Sequence, residues 1–565
     1  MDTEDRERPH QPDVIDVRSA EFGGATDVGE PIPPPEGETQ VIETPYEIGQ
    51  DNIARSLTIE FDIHHVVFTV SAIAVALFTL LTLALQNEVA PLFVALRDAL
   101  TARLDWFFLA AGNVFVILCL VLIVTPLGRV RLGGPDATPD YGYLGWFAML
   151  FAAGMGIGLM FYGVAEPLGH FEAALGGVEI GEDGARTDWA PLGGAAGDVE
   201  AARRLGMAAT IFHWALHPWA IYAVVALALA LFSYNKGLPL TLRSAFYPIF
   251  GERIWGWPGH VIDILAVFAT VFGLATSLGI GAEQAAAGID ALVGLGTADA
   301  FLVLLIVFIT GIAIVSIVAG LDRGVKRLSE LNLALAAALL FFVILAGPTF
   351  AILDGVWRNL AAYLTHLPAL SMPFGREDRN FVGGWTAFYW AWWISWSPFV
   401  GTFIARVSRG RTVREFMVCV LLIPSLVSVI WMTALGGTAI SQALAGIGEV
   451  GDAALELQLF AMLAQLPLSA ITSVIGIVLV IVFFVTSSDS GSLVIDTIAA
   501  GGKVNAPVPQ RIFWASLEGA VAIALLLGGG LAALQAMAVS TGLPFTLVLL
   551  GACYAIVKGL LDEPR

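Results

Sequence analysis

Charge is scarce in this chain of 565 residues: 13 % of positions are Asp, Glu, Lys or Arg, against a usual share of about 25 %. Cysteine is scarcer still. Cys119, Cys419 and Cys553 each lie inside an apolar run and show no disulfide or metal spacing, so they read as small buried hydrophobes. The N-terminus lacks the basic stretch and early apolar core of a signal peptide. No basic residue falls in the central part of any long apolar run, and no G-x-G-x-x-G follows a soluble strand. These absences leave nothing for nucleic-acid recognition, a nucleotide loop or a disulfide framework. No nucleophile–base pair appears in the apolar runs. His213 and His217 are spaced i, i+4 without an evident third ligand, so an enzyme is not expected.

What is abundant is apolar. Hydrophobic residues make up 57 % of the chain and the mean hydropathy is +0.80. A soluble fold cannot hide that much apolar surface. The runs are long and continuous, which excludes an outer-membrane barrel with its short alternating strands. A span needs about 20 apolar residues. Windows of that kind fall near 65–87, 105–126, 141–165, 209–234, 260–282, 299–320, 329–353, 384–406, 415–437, 469–491, 510–532 and 537–558. The fold expected is an all-α membrane protein with twelve transmembrane helices.

The positive-inside rule orients them. With both termini in the cytoplasm, inner loops and the C-terminal end carry 16 of the 28 Lys and Arg, the N-terminal tail 4 and the outer loops 8. This is the pattern of a multi-pass protein of the plasma (inner) membrane. The tail, 1–62, holds 16 acids and 4 arginines and is expected to be a disordered acidic cytoplasmic segment. The membrane body runs over 63–560, and 561–565 is expected to be a short cytoplasmic end. Residues 354–383 form a long outer loop. In it Val356, Trp357, Leu360, Tyr363, Leu364 and Leu367 at helical spacing predict an amphipathic surface helix. The run Leu455 to Leu466 is too short to span.

Three constellations stand out. Span 3 carries Gly154, Gly156 and Gly158 midway across the membrane, at a cost of roughly 1 kcal/mol each relative to alanine. Such a run serves either close helix packing or a break whose freed carbonyls and amides meet ions and carboxylates. Span 10 carries the polar knot Thr486-Ser487-Ser488-Asp489-Ser490. Its hydroxyls either bond back to their own helix or offer hard oxygens to sodium; Asp489 is an intramembrane acid. Span 8 packs Trp385, Trp390, Trp392, Trp393 and Trp396 into twelve residues, and span 4 adds Trp214, Trp219 and Tyr222 around Pro218. Trp393 and Trp396 lie about 14–18 Å into the helix, too deep for an interfacial belt. Deep rings either pack as core or form an aromatic cage for a cation without N–H donors. No acid lies in the glycine stretch to neutralise a lone cation, so a zwitterion with a methylated onium head, such as glycine betaine, is favoured over choline.

The segments Ala152–Pro167, His213–Tyr222 and Trp390–Gly401 resemble the betaine/carnitine/choline transporter family, a resemblance covering roughly 65–560. It implies two lead helices followed by an inverted five-plus-five repeat, spans 3–7 and 8–12, with alternating access. It also implies a homotrimer to which the outer amphipathic helix contributes. It places Trp214, Trp219, Tyr222 and Trp393 in a central cage, with Trp390, Trp392 and Trp396 along its path and the amides near Ala153 and Gly156 meeting the substrate carboxylate. A coupling sodium ion would take the carbonyls of Ala152, Met155 and Phe483 and the hydroxyls of Thr486 and Ser487; no other cofactor is implied. Span 5 (Thr270 to Ser277) has no Arg in place of sodium, which favours sodium symport and a role in osmoprotection. Proton coupling, or exchange of choline, carnitine or dimethylsulfoniopropionate, is the alternative. The long basic C-terminal tail of osmosensing members is missing.

Overall fold

A computed structural model describes residues 32–56, 60–154, 156–320 and 325–564. The chain is helical throughout its apolar part. The helices are α1 (Val67–Ala84), α2 (Gln86–Val124), α3 (Tyr143–Gly154), α4 (Ile157–Gly176), α5 (Val199–Trp214), α6 (Leu216–Ala230), α7 (Tyr247–Phe250), α8 (Trp257–Val293) and α9 (Asp299–Ala319). They continue as α10 (Val325–Ala346), α11 (Thr349–Leu370), α12 (Arg379–Phe381), α13 (Ala387–Val407), α14 (Val413–Leu444), α15 (Gln458–Ala464), α16 (Ser469–Ala499), α17 (Val508–Leu527) and α18 (Gly530–Leu561).

Among the described residues, ten helices are long and apolar enough to cross a membrane. This is a multi-pass, all-α membrane protein. Two of the twelve expected spans are not among the ten, for physical reasons. The window 141–165 is broken between α3 and α4, where Gly156 is extended (φ −151°, ψ −178°). The window 384–406 is so rich in Trp, Tyr and Ser that its hydropathy is low, although α13 is a continuous 21-residue helix.

Packing sets the centre. α13 lies along α6, α16 along α8, α4 along α5 and α14, and α18 along α2 and α8. Where α4 crosses α14, Pro167 has no N–H to give the Gly163 carbonyl, and Gly436 brings α14 up to that freed oxygen. Beside it the Trp431 indole donates to the Leu159 carbonyl at 2.9 Å. After α10, Gly347 and Pro348 interrupt the chain, and α11 follows on the surface with Phe350, Leu353, Trp357 and Leu364 exposed.

The acidic tail needs correction in part. Residues 1–31 and 57–59 lie outside the described residues, but 32–56 and 60–64 are folded. Strands β1 (Asn52–Ser56) and β2 (Glu60–His64) pair antiparallel with Asn52 opposite His64. The segment is tied to four separate loops. Glu36 donates its N–H to the Gly133 carbonyl at 2.8 Å and ion-pairs with Arg409. The Ile42 N–H reaches the Lys236 carbonyl at 3.0 Å, Tyr46 stacks on Trp255 at 4.2 Å, and Asp62 pairs with Lys503 at 2.5 Å. Composition alone reads this stretch as unstructured because its partners lie far away in sequence.

A methyl group at position 436 would collide with the Pro167 ring, which cannot move aside. Gly436→Ala is expected to destabilise the α4–α14 crossing by about 1–3 kcal/mol. A lowered thermal unfolding midpoint of the detergent-solubilised protein is the check; an unchanged midpoint would contradict this packing.

Candidate functional site

The site grows from two adjacent helix interruptions. The first is the extended Gly156 between α3 and α4; Met155 lies outside the described residues. The second is Ala215 (φ −108°, ψ −115°) between α5 and α6, three residues before Pro218, which leaves the Trp214 carbonyl without its helical N–H. The glycine run both breaks and packs. The helix breaks at Gly156, and Gly158 is a close-packing position. A Cβ there would sit 2.7 Å from the tip of the Trp214 ring and 3.0 Å from that of Trp392.

Rings close the space. A cavity of about 30 Å³ is lined by Gly156, Gly158, Trp214, Trp219, Tyr222, Trp392, Trp393 and Trp396. Trp214 meets Trp393 edge-on at 4.9 Å, Tyr222 meets Trp393 edge-on at 6.1 Å, and Trp392 stacks on Trp393 at 5.2 Å. A buried indole needs a partner for its N–H. Trp393 donates to the His213 carbonyl at 3.0 Å, Trp396 to the Gly273 carbonyl at 3.0 Å and Trp392 to the Ser277 hydroxyl at 3.2 Å. With these N–H groups satisfied, the three rings line the cavity.

A wider vestibule of about 1040 Å³ lies on the side of the loop 177–198, lined in part by Tyr162, His170, Trp189, Trp385 and Phe388. Tyr162 separates it from the cage, its ring 6.3 Å from Trp214 and 6.2 Å from Trp392. Beside Trp189, hydrogen bonds from Arg186 hold the Asp188 carboxyl down to about 2.

The structure does not gather every expected residue. Trp390 faces away from the cavity, buried against Gly112 and stacked on His217 at 5.2 Å. Ala153 belongs to α3, and its surroundings lie outside the described residues. Of the expected sodium ligands, Ala152 is exposed on α3, while Phe483, Thr486 and Ser487 lie on α16. The Thr486 hydroxyl bonds back to Val482 and Phe483 carbonyls at 3.1 and 3.0 Å, and accepts from Asn332 at 3.3 Å. The own-helix reading therefore describes this hydroxyl here. Asp489 accepts from the Ser316 hydroxyl at 2.6 Å.

One buried polar centre is not evident from the sequence. Glu166 on α4 is wholly buried. Its Oε1 meets His213 Nδ1 at 2.6 Å and His170 Nε2 at 3.2 Å; its Oε2 accepts from the Trp214 indole and the Tyr389 hydroxyl, both at 2.6 Å. His213 Nε2 lies 2.9 Å from the Thr386 hydroxyl. Among the described residues no third ligand joins His213 and His217; His213 instead gathers with Glu166 and His170, their ligand atoms within 4.8 Å of one another. His217 is elsewhere, bonded to Asn113 at 3.0 Å. The available signal was an intramembrane Glu with His four residues on.

A model of the betaine/carnitine/choline family of transporters matches residues 66–565. A glycine betaine/proline/choline transporter of Vibrio parahaemolyticus is 67 % identical over 543 residues, covering 96 % of this chain and 98 % of the relative. Glycine betaine transporter 1 of the same organism is 53 % identical, covering 92 % and 97 %. A third Vibrio parahaemolyticus relative, a glycine betaine/proline/choline/ectoine transporter, is 50 % identical, covering 92 % and 91 %. The chain belongs to this family and is a transporter, not an enzyme.

Adjacent glycines should respond differently to alanine. Gly158→Ala pushes into Trp214 and Trp392, whereas a Cβ on Gly156 meets only the tip of Trp396 at 3.9 Å. Gly158→Ala is expected to shift tryptophan emission and abolish transport, with Gly156→Ala close to wild type. Equal behaviour of the two would refute the packing described.

Proposed function

We propose that this family member is a sodium-coupled importer of glycine betaine or a closely similar methylated-onium zwitterion, serving osmoprotection. The observation that carries the reading is the set of rings Trp214, Trp219, Tyr222 and Trp393 lining one cavity together with the broken backbone at Gly156. Rings attract a methylated cation through roughly 0.5–2 kcal/mol per contact, and amides of an interrupted helix suit a carboxylate. All three relatives named above carry glycine betaine in their names; proline, choline and ectoine also occur there.

Helix contacts support twelve spans with a five-plus-five repeat. α4 packs on α14 and α16 as α13 packs on α6 and α8; α9 and α10 pack on α16 as α17 and α18 pack on α8. Exchanging spans 3–7 with spans 8–12 maps these contacts onto one another. Lys and Arg distribution supports cytoplasmic termini in the plasma membrane. The exposed apolar face of α11 suits a homotrimer contact. Sodium would bridge the α3 end to Phe483, Thr486 and Ser487. The Thr486 hydroxyl donates within its own helix and accepts from Asn332, which leaves a lone pair for the ion; proton coupling is the second reading.

Uptake of labelled glycine betaine into proteoliposomes under an inward sodium gradient, against equimolar potassium, tests this. Accumulation with sodium alone is expected; uptake indifferent to sodium overturns the coupling. Trp393→Leu should raise the half-saturation constant roughly tenfold or more, and an unchanged constant would sink the cage. Thr486→Ala with Ser487→Ala should raise the sodium concentration required; an unaltered sodium dependence counts against those ligands.

A further inference from the structure

We propose that Glu166 supplies the negative charge that selects an onium headgroup in the cage, acting as a positioning residue through Trp214 and Tyr389 without touching the ligand. The inference rests on the cage reading above and names what gives that cage its preference for a cation.

The geometry is specific. Both donors on Oε2 belong to rings that touch Trp393: Trp214 edge-on at 4.9 Å and Tyr389 stacked at 5.9 Å. Trp214 itself lines the cavity. One carboxylate oxygen therefore reaches the cage through two hydrogen bonds of 2.6 Å each. The other oxygen is occupied by His213 and His170. With His213 protonated on Nδ1 and His170 on Nε2, four donors converge on the two oxygens, the arrangement that suits a carboxylate. Among the described residues no lysine or arginine pairs with Glu166. The Thr386 hydroxyl can donate to His213 Nε2, so that ring needs only its Nδ1 proton.

An anion bonded to an indole N–H and a phenol O–H pushes electron density into those rings. Hydrogen-bond chains polarise one another, more so in a low-dielectric interior. A ring with a more negative face holds a cation more strongly, and the anion's own field adds over this short distance. The placement also suits a zwitterion. A carboxylate lining the cavity would repel the carboxylate of the ligand. Set one hydrogen bond behind the rings, it favours the onium end and leaves the amides near Gly156 to the other end.

The test compares two ligands of one shape: glycine betaine and its carbon isostere 3,3-dimethylbutyrate, in which a neutral quaternary carbon replaces the onium nitrogen. Affinity is read on the full-length protein by quenching of tryptophan emission, with the isostere measured by competition. Glu166→Gln is expected to lower the preference for betaine over the isostere by about tenfold, and Glu166→Asp, which keeps the charge, to restore most of it. Equal losses for both ligands would mean that Glu166 merely holds the rings in place, and would overturn the proposal. So would an unchanged ratio. Should Glu166→Gln fail to fold, Tyr389→Phe decides, because it keeps the carboxylate and removes one of its two links to the cage; the ratio should fall two- to threefold, and no change counts against the proposal. A wild-type protein that binds no betaine overturns the cage reading beneath it, a result distinguishable from any change in ratio.

Discussion

A buried carboxylate must be satisfied completely or not buried at all. Desolvating the charge costs several kcal/mol, recovered only when every lone pair meets a donor. Glu166 meets that condition with donors from three helices: His170 on its own α4, His213 and Trp214 on α5, and Tyr389 on α13. Moving any of the three strands a donor or exposes the charge. The relative placement of α4, α5 and α13 is thereby set to hydrogen-bond precision in a bundle whose other contacts are mostly dispersion, which tolerates sliding. The cage inherits that precision. Trp214 is held by the carboxylate itself, and Trp393 by the carbonyl of His213, the neighbour of Trp214 and a donor in the same network.

The two helix interruptions follow from the same crowding. In a water-free interior a broken backbone persists only where protein or a lined cavity satisfies it. Gly156 and Ala215 lie on facing helices, and the gap between α3 and α4 is filled from the other side by the Trp214 ring pressing on Gly158. Trp219 and Tyr222 then follow Pro218 on α6 and complete the lining. Glycine at 158 is required by ring contact. Glycine at 156, in an extended conformation open to any residue, is not required by its backbone angles.

Membrane class, helix content and the aromatic cluster were legible because each rests on local signals: apolar run length, tryptophan depth and glycine spacing. Trp214, Trp219, Tyr222, Trp392, Trp393 and Trp396 do meet around one cavity. Trp390 was misjudged because helical spacing does not say which neighbour covers a face; the space left by Gly112 on α2 decides it. Glu166 was passed over for a related reason. Its donors come from positions 170, 213, 214 and 389, and no pattern in one segment reveals that four such groups converge. The folded part of the tail escaped likewise. Its acids read as solvated until Arg409 and Lys503 are brought beside Glu36 and Asp62.

That folded segment makes the two faces of the bundle unequal. One face opens into a vestibule of about 1040 Å³ that ends on the Tyr162 ring. At the other, residues 32–56 and 60–64 bridge the loops that follow α2, α6, α13 and α16, through Gly133, Lys236, Arg409 and Lys503. These loops end helices that line or flank the cage, so any movement that parts them must break contacts of this segment. The contacts are of two kinds. The backbone bonds at Gly133 and Lys236 and the Tyr46–Trp255 stack are insensitive to salt. The ion pairs are partly exposed, Glu36 by 47 % and Lys503 by 35 %, and mobile ions screen such pairs. Rising ionic strength on that face therefore weakens one part of the strap and spares the other. A face held this way loosens by degrees with salt, without coming apart, since its hydrogen bonds and ring stack keep the segment in register while its charges let go.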